Sequence, residues 1–201
     1  MSQENNQFFS NLLRYFRRYL AGAGLALLEF IKVALLAGIT IALVRYYLFK
    51  PFYVKGASME PTFLDHEYLI IDELSYRLHA PTRGDIIVFK YPNNQQEYFI
   101  KRIIGLPGER VKISENKVTI YNSEHPEGLL LNEIYIPKNV VTEGEVNTTL
   151  SKDQYFVMGD NRENSFDSRR FGKVDASLIV GRTWLRGWPL NRVQIFEAPK
   201  Y

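Results

Sequence analysis

The sequence predicts a mainly β protein carried on one N-terminal transmembrane helix, with an antiparallel β-sheet domain that bears a smaller β insertion. Three observations predict it. Leu25 to Leu48 is apolar enough to span a bilayer, with an uninterrupted run from Val33 to Val44. Beyond it, short apolar runs recur between Pro, Gly, Asn and Asp, the punctuation of strands and tight turns. From about 111 to 153 a hairpin signal gives way to polar, turn-rich sequence, as in a subdomain inserted into a core. The expected organisation is a cytoplasmic basic segment over 1–24, an anchor over 25–48 and an extracytoplasmic β domain over 49–201.

Composition narrows the chemistry. The 201 residues suffice for one domain with a sizeable core plus appendages. Net charge is only +3, and outside one N-terminal cluster the Lys and Arg residues are scattered, so no basic stripe argues for nucleic acid. Cysteine is absent, which removes disulfides, a thiol nucleophile and thiolate metal sites. Only His66, His79 and His125 offer imidazole chemistry. A catalytic base is therefore expected among other side chains.

Taken in order, Phe8 to Leu20 repeats its apolar residues at three and four with Arg14, Arg17 and Arg18 between them. This fits a basic amphipathic helix on an anionic membrane surface, or a plain positive flank; either places this end in the cytoplasm. In the span that follows, about 20 residues cover a hydrocarbon core of roughly 30 Å. Glu29 and Lys32 fall in its first turns, where side chains snorkel. A cleaved secretory signal is the rival reading. Small residues should then follow, but Arg45-Tyr46-Tyr47-Leu48-Phe49-Lys50 does, so the span reads as an uncleaved anchor. Tyr46, Tyr47, Phe49, Phe52 and Tyr53 read as an interfacial aromatic belt, which brings the chain out only a few residues before Ser58.

Strands are expected at Tyr68–Asp72, Asp85–Tyr91 and Gln96–Ile104, the last two joined across Pro92-Asn93-Asn94-Gln95. Val111–Tyr121 reads as a hairpin about Ser114-Glu115-Asn116-Lys117, with a further strand over Leu129–Ile136. Gln154–Met158, Ile179–Leu185 and Val193–Phe196 complete the set, and Gly159–Gly172 reads as a long polar loop.

Three segments carry possible chemistry. Gly56-Ala57-Ser58-Met59-Glu60-Pro61-Thr62 sets a serine among small residues before a Pro-Thr turn, a setting for a nucleophile and equally for an ordinary turn. In Tyr98-Phe99-Ile100-Lys101-Arg102-Ile103-Ile104, strand alternation puts Lys101 on a face with Phe99 and Ile103, and Arg102 on the other with Ile100 and Ile104. One of the two charges should then sit among apolar neighbours; if it is Lys101, desolvation yields a neutral amine able to act as a general base. An edge strand with both charges snorkelling is the bland alternative. The loop from Gly159 to Arg170 is dense in hydrogen-bonding groups. It fails as a calcium loop, because counting from Asp160 the sixth residue is Ser165, where Gly is needed, and the twelfth is Phe171, where Glu is needed. What remains is a solvated loop or a network around a base.

Together these segments resemble the bacterial type I signal peptidases, membrane-anchored Ser-Lys proteases that remove signal peptides from exported proteins. The matching stretches are Gly56 to Thr62, Arg83-Gly84-Asp85-Ile86-Ile87-Val88-Phe89, Lys101 to Glu109 and Gly159 to Arg169, in the family's order. The resemblance implies a fold shared with the self-cleaving repressors, Ser58 as nucleophile and Lys101 as general base, with no cofactor and no metal. It further implies that Ser165 orients the lysine amine, that Asp167 and Arg169 form a structural ion pair, that Asp160 pairs with Arg102, and that Met59 lies beside the nucleophile near the substrate-facing surface. Some members carry a serine two positions before the nucleophile, whose hydroxyl helps bind the oxyanion; here that position is Gly56, so the hole would rest on backbone N–H groups, notably that of Ser58. One such donor is worth roughly 3 kcal/mol of barrier.

The implied substrates are signal-peptide-bearing preproteins cut at an Ala-x-Ala site and bound as an extended strand, near the export machinery and in contact with membrane lipid. The implied location is the cytoplasmic membrane, single-pass, with the catalytic domain outside; a thylakoid or other internal membrane is the alternative. For the substrate pockets, residues just before Ser58 and the strand at Asp85 are the first candidates. Competing readings are a catalytically silent membrane scaffold or substrate-binding homologue, a self-cleaving repressor, and a Ser-His-Asp protease using His66 or His79. Retention of Ser58, Lys101 and Ser165 speaks against the first, the anchor in place of a DNA-binding module against the second, and the polar turns around both histidines against the third.

Overall fold

The structure, a computed structural model, describes Arg14, residues 22–42 and residues 49–199. Helix α1, Gly22–Ala42, is 21 residues long and apolar, enough to cross a bilayer at 1.5 Å per residue. Its described part reaches three residues N-terminal to the expected span. Its two charges pair with each other, Lys32 Nζ to Glu29 Oε1 at 2.9 Å, one turn apart. Thr40 returns its hydroxyl to the Leu36 carbonyl at 2.8 Å, so the helix shows no unpaired hydroxyl there. Apart from Arg14 and residues 22–24, the expected amphipathic segment lies outside the described residues, as do 43–48 with Tyr46 and Tyr47 of the expected belt. The helix and the β body belong to separate compact units, divided between Tyr46 and Tyr47.

The β body starts where the aromatic belt was expected to continue. Phe49–Tyr53 is strand β1, antiparallel to β2 (Tyr68–Asp72) over five residue pairs. No strand was expected here; Pro51 is accommodated because β1 is an edge strand, where a residue without an N–H is tolerated. A single-turn helix α2, Ser75–Leu78, precedes β3 (Ile86–Tyr91) and β4 (Asn94–Gly105). The β3–β4 connection is shorter than expected, because Tyr91 already pairs with Asn94 across Pro92-Asn93. Residues 94–97 are polar and exposed, so apolarity alone misses them, yet the backbone ladder does not require it.

Strands β5 (Arg110–Ser114) and β6 (Lys117–Tyr121) form the expected hairpin. Glu115 and Asn116 both take positive φ, 50° and 62°, the pairing a two-residue type I′ turn demands. The strand expected over Leu129–Ile136 is only β7, Leu129–Leu130. After Leu131 the chain leaves the sheet, bringing Glu133 to Arg162 and stacking the Tyr135 ring 3.8 Å from the Arg102 guanidinium. Strand β8 (Val146–Thr149), in sequence read as irregular, pairs with β5. Next come β9 (Gln154–Met158), the four-residue helix α3 (Ser168–Phe171) inside the expected loop, β10 (Val174–Asp175), β11 (Ile179–Trp188) and β12 (Gln194–Ile195).

All pairings are antiparallel. The main sheet runs β1-β2-β11-β3-β4-β9-β10 with β12 beside β11, and a second sheet runs β7-β6-β5-β8. Strand β3 is apolar along its first four residues because both faces are covered: Ile86 and Val88 join Leu69 and Ile71, while Ile87 and Phe89 join Ile103, Tyr155 and Val157. A third cluster, including Ile104, Val111, Ile113, Ile120 and Phe156, ties β4 and β9 to the second sheet. The segment between β1 and β2 lies on the first cluster through Val54, Met59 and Phe63.

Candidate active site

Ser58 sits in the loop between β1 and β2, on buried anchors at Val54, Met59 and Phe63, all at most 4% exposed. Short turns fix the loop: Glu60 N–H donates to the Ala57 carbonyl at 3.1 Å and Phe63 N–H to the Met59 carbonyl at 2.9 Å. Gly56 has φ +92°, a conformation other residues adopt only with strain, and its N–H donates to Asp65 Oδ1 at 2.8 Å. Ser58 N–H donates to no acceptor among the described residues.

Lys101, on β4, is 4% exposed, and its Nζ donates to Ser58 Oγ at 2.8 Å and to the Ile100 carbonyl at 2.8 Å. Burial pushes the lysine pKa down from 10.5 to about 8, against the pull of Asp167 and Asp160. The two acids fail to restore it because each is held by an arginine. Arg102 grips Asp160 bidentately, Nε to Oδ1 at 2.8 Å and Nη2 to Oδ2 at 2.6 Å, and Thr62 adds its hydroxyl at 2.5 Å. Arg169 grips Asp167 through Nε at 2.9 Å and Nη2 at 2.8 Å, and Gly159 N–H donates to the same carboxylate. Burial pushes the Asp167 carboxyl up, but Arg169 and these donors outweigh it and hold it below the usual carboxylate range. Both Lys101 and Arg102 are buried, not one of the two; Arg102 survives because it is paired.

The expected contacts Arg102–Asp160 and Asp167–Arg169 are thus present, and Ser58 and Lys101 meet. Two expectations need correction. Ser165, expected to orient the amine, makes no hydrogen bond of sound geometry; its Oγ is buried near Asp167, close enough to help lower that carboxyl, and the Ile100 carbonyl holds the amine instead. Met59 is 1% exposed and packs into the core cluster rather than facing the groove, an apolar anchor directly after Ser58. His66 and His79 are exposed on their turns, and His66 Nδ1 faces Asp65 at 3.0 Å.

Other residues of the matching loop contribute contacts to which sequence assigned no partner. Asn161 donates its N–H to the Ser58 carbonyl at 3.1 Å and Nδ2 to the Ala57 carbonyl at 3.0 Å. Gly159 is needed for closeness: a Cβ there would overlap the Ser58 carbonyl and Ser165 Oγ. Arg162, fully buried, fastens the loop to Glu133 and Thr142. A groove of about 500 Å³ opens beside the pair, lined by Phe52 to Lys55, Leu69, Val88, Glu97 to Lys101 and Phe166. The residues before Ser58 are there as expected, whereas the Asp85 strand supplies only Val88 and most of one wall comes from β4. Half-exposed Tyr98 and Phe166 beside a buried lysine were the available clue. Among the described residues no cluster of acids and histidines could hold a metal ion.

The family described as signal peptidase, peptidase S26, matches residues 27–188. A probable signal peptidase I-2 of Synechocystis sp. is 40% identical over 172 residues, covering 83% of this chain and 75% of the relative. Signal peptidase IB of Staphylococcus aureus strain MRSA252 is 30% identical over 185 residues, 87% of this chain and 96% of the relative. Among solved structures, a signal peptidase I of Enterococcus faecalis V583 is 33% identical, covering 52% of this chain and 97% of its own, with a TM-score of 0.43.

Proposed function

The chain belongs to the signal peptidase family of serine endopeptidases, and from that premise we propose that it removes signal peptides from exported preproteins with Ser58 as nucleophile and the neutral amine of Lys101 as general base. The observation that carries the assignment is the 2.8 Å separation of a buried Lys101 Nζ from Ser58 Oγ. In the neutral form the amine lone pair lies along that same line and takes the hydroxyl proton as Oγ attacks the scissile carbonyl. The negative charge then falls on the former carbonyl oxygen, with Ser58 N–H as the donor available to it. The proton on Nζ passes to the leaving amine, the peptide bond breaks, and the signal peptide remains as an ester on Ser58. Water, deprotonated by the same amine, cleaves the ester and returns the proton to Oγ.

The occupant proposed for the groove is an extended chain with small side chains at the cut, as in Ala-x-Ala. Strand β1 is a free edge, and β4 pairs with β9 only from Arg102 onward, so backbone on both sides can accept an added strand. Helix α1 has the length of an anchor, and an orientation with its N-terminus in the cytoplasm puts Ser58 outside, where translocated cleavage sites emerge. Tethering enzyme and substrate in one bilayer raises their effective concentration. Asp160, Asp167, Arg102 and Arg169 serve as the frame of the loop, and Gly56 leaves the oxyanion to backbone donors.

The test is cleavage of a preprotein with an Ala-x-Ala site by the full chain in detergent, the products mapped by mass. The wild type is expected to cut once, after the second alanine. Ser58→Ala and Lys101→Ala are each expected to lose at least about 10³-fold in kcat with the fold retained. Substrate binding without cleavage by the wild type would instead favour the silent scaffold.

A further inference from the structure

We infer that Asn161 aims the oxyanion-binding N–H of Ser58, a positioning role that rests on the Ser58 assignment above. The Ala57 carbonyl and the Ser58 N–H belong to one planar trans peptide unit, so they point in opposite directions. Whatever grips the carbonyl therefore sets the direction of the N–H. That carbonyl receives Asn161 Nδ2 at 3.0 Å and Glu60 N–H at 3.1 Å. The next peptide is gripped from the same side, the Ser58 carbonyl receiving Asn161 N–H at 3.1 Å. Ser58 is thus bracketed by one residue, and its own N–H is turned to the side that the 159–164 loop leaves open.

The Asn161 amide is itself fixed. Its Oδ1 accepts Asn164 N–H at 3.3 Å, so Nδ2 is the group that faces Ala57. Gly159, whose lack of a Cβ admits the Ser58 carbonyl, keeps the loop close enough for the grip. Two donors on one carbonyl also polarise its amide, making the N–H on the far side a stronger donor. The arrangement matters more here because the other source of an oxyanion donor is closed: position 56 has no side chain, and Gly56 N–H is already committed to Asp65.

The experiment uses the full chain in detergent with two probes of one cleavable sequence. A peptide aldehyde forms a tetrahedral adduct whose oxygen occupies the hole, and the same peptide with a reduced CH2–NH bond binds without forming one. Asn161→Asp keeps the Oδ1 acceptor and the backbone N–H but loses the donor to Ala57; Asn161→Ala keeps only the backbone bond. Both are expected to lose roughly 10- to 100-fold in kcat with KM unchanged, and to lose the same factor in aldehyde affinity. Affinity for the reduced peptide and the midpoint of the pH profile should stay at their wild-type values. Equal losses for the two probes, or no loss for the aldehyde, overturns the inference. An aldehyde adduct in the wild type on a residue other than Ser58 overturns the nucleophile assignment itself, whereas an adduct on Ser58 with unchanged variants overturns only the role of Asn161.

Discussion

The side chain proposed as the base, Lys101, is held in the folded chain at a cost. Its pKa falls from 10.5 to about 8 because burial opposes the ammonium form. At neutral pH the lysine is protonated in both folded and unfolded chains, and the folded state bears the whole penalty, about 3 kcal/mol for such a displacement. Between about pH 8 and 10.5 the unfolded chain holds a proton that the folded chain has released, so stability rises with pH across that window. Lys101→Met, which fills the same space without a charge, is expected to be more stable than wild type at pH 7 by up to about 3 kcal/mol, and to lose that advantage by pH 10.5. Denaturant midpoints at the two pH values, together with lost cleavage, check it. A destabilised variant at pH 7 would show that the amine is not strained in the folded chain.

At the scale of elements, the loop after β9 works as a frame bolted to three other segments. Asp160 joins β4 through Arg102 and the Ser58 loop through Thr62, Asp167 is closed by Arg169, and Arg162 reaches Glu133. Asp160 is fully buried, so its removal leaves the Arg102 guanidinium without its carboxylate partner. Asp160→Ala is expected to cost about 3–5 kcal/mol, measured by chemical denaturation, far beyond the 0–1 kcal/mol of an exposed pair. The residues of this frame were legible because ionic groups crowd one short stretch and resemble a known motif. The partner of Asn161 and the role of Glu133 were not. Asn161 meets Ala57 across 104 positions of sequence, and Glu133 lay in a run whose apolar neighbours suggested a strand. Ser165 shows the opposite error: resemblance supplied a partner that its local geometry does not.

For the whole molecule, sequence gave the order of parts more readily than their meeting points. The span, the hairpin at Glu115-Asn116 and the strands at Tyr68–Asp72 and Gln154–Met158 follow from apolar periodicity and turn chemistry. Strand β1 was hidden because Pro51 and dense aromatics suit a membrane interface as well as a sheet edge, and β8 because its residues are polar on an outer sheet. No periodicity announces that β2 and β3 are separated by β11, which follows both of them far along the chain, at Ile179–Trp188. Yet that order sets the width of the groove between β1 and β4 and the reach of Lys101 to Ser58. The proposed dyad is therefore a product of the assembled sheet, and its behaviour reports on the whole fold. The decisive measurement is kcat/KM against pH for the full chain in lipid bilayers, with His66→Ala as control. The account predicts activity that rises with pH as the Lys101 amine loses its proton, with a midpoint near 8, unchanged in His66→Ala. A midpoint near 6.5, or its loss with His66→Ala, would contradict the lysine as base.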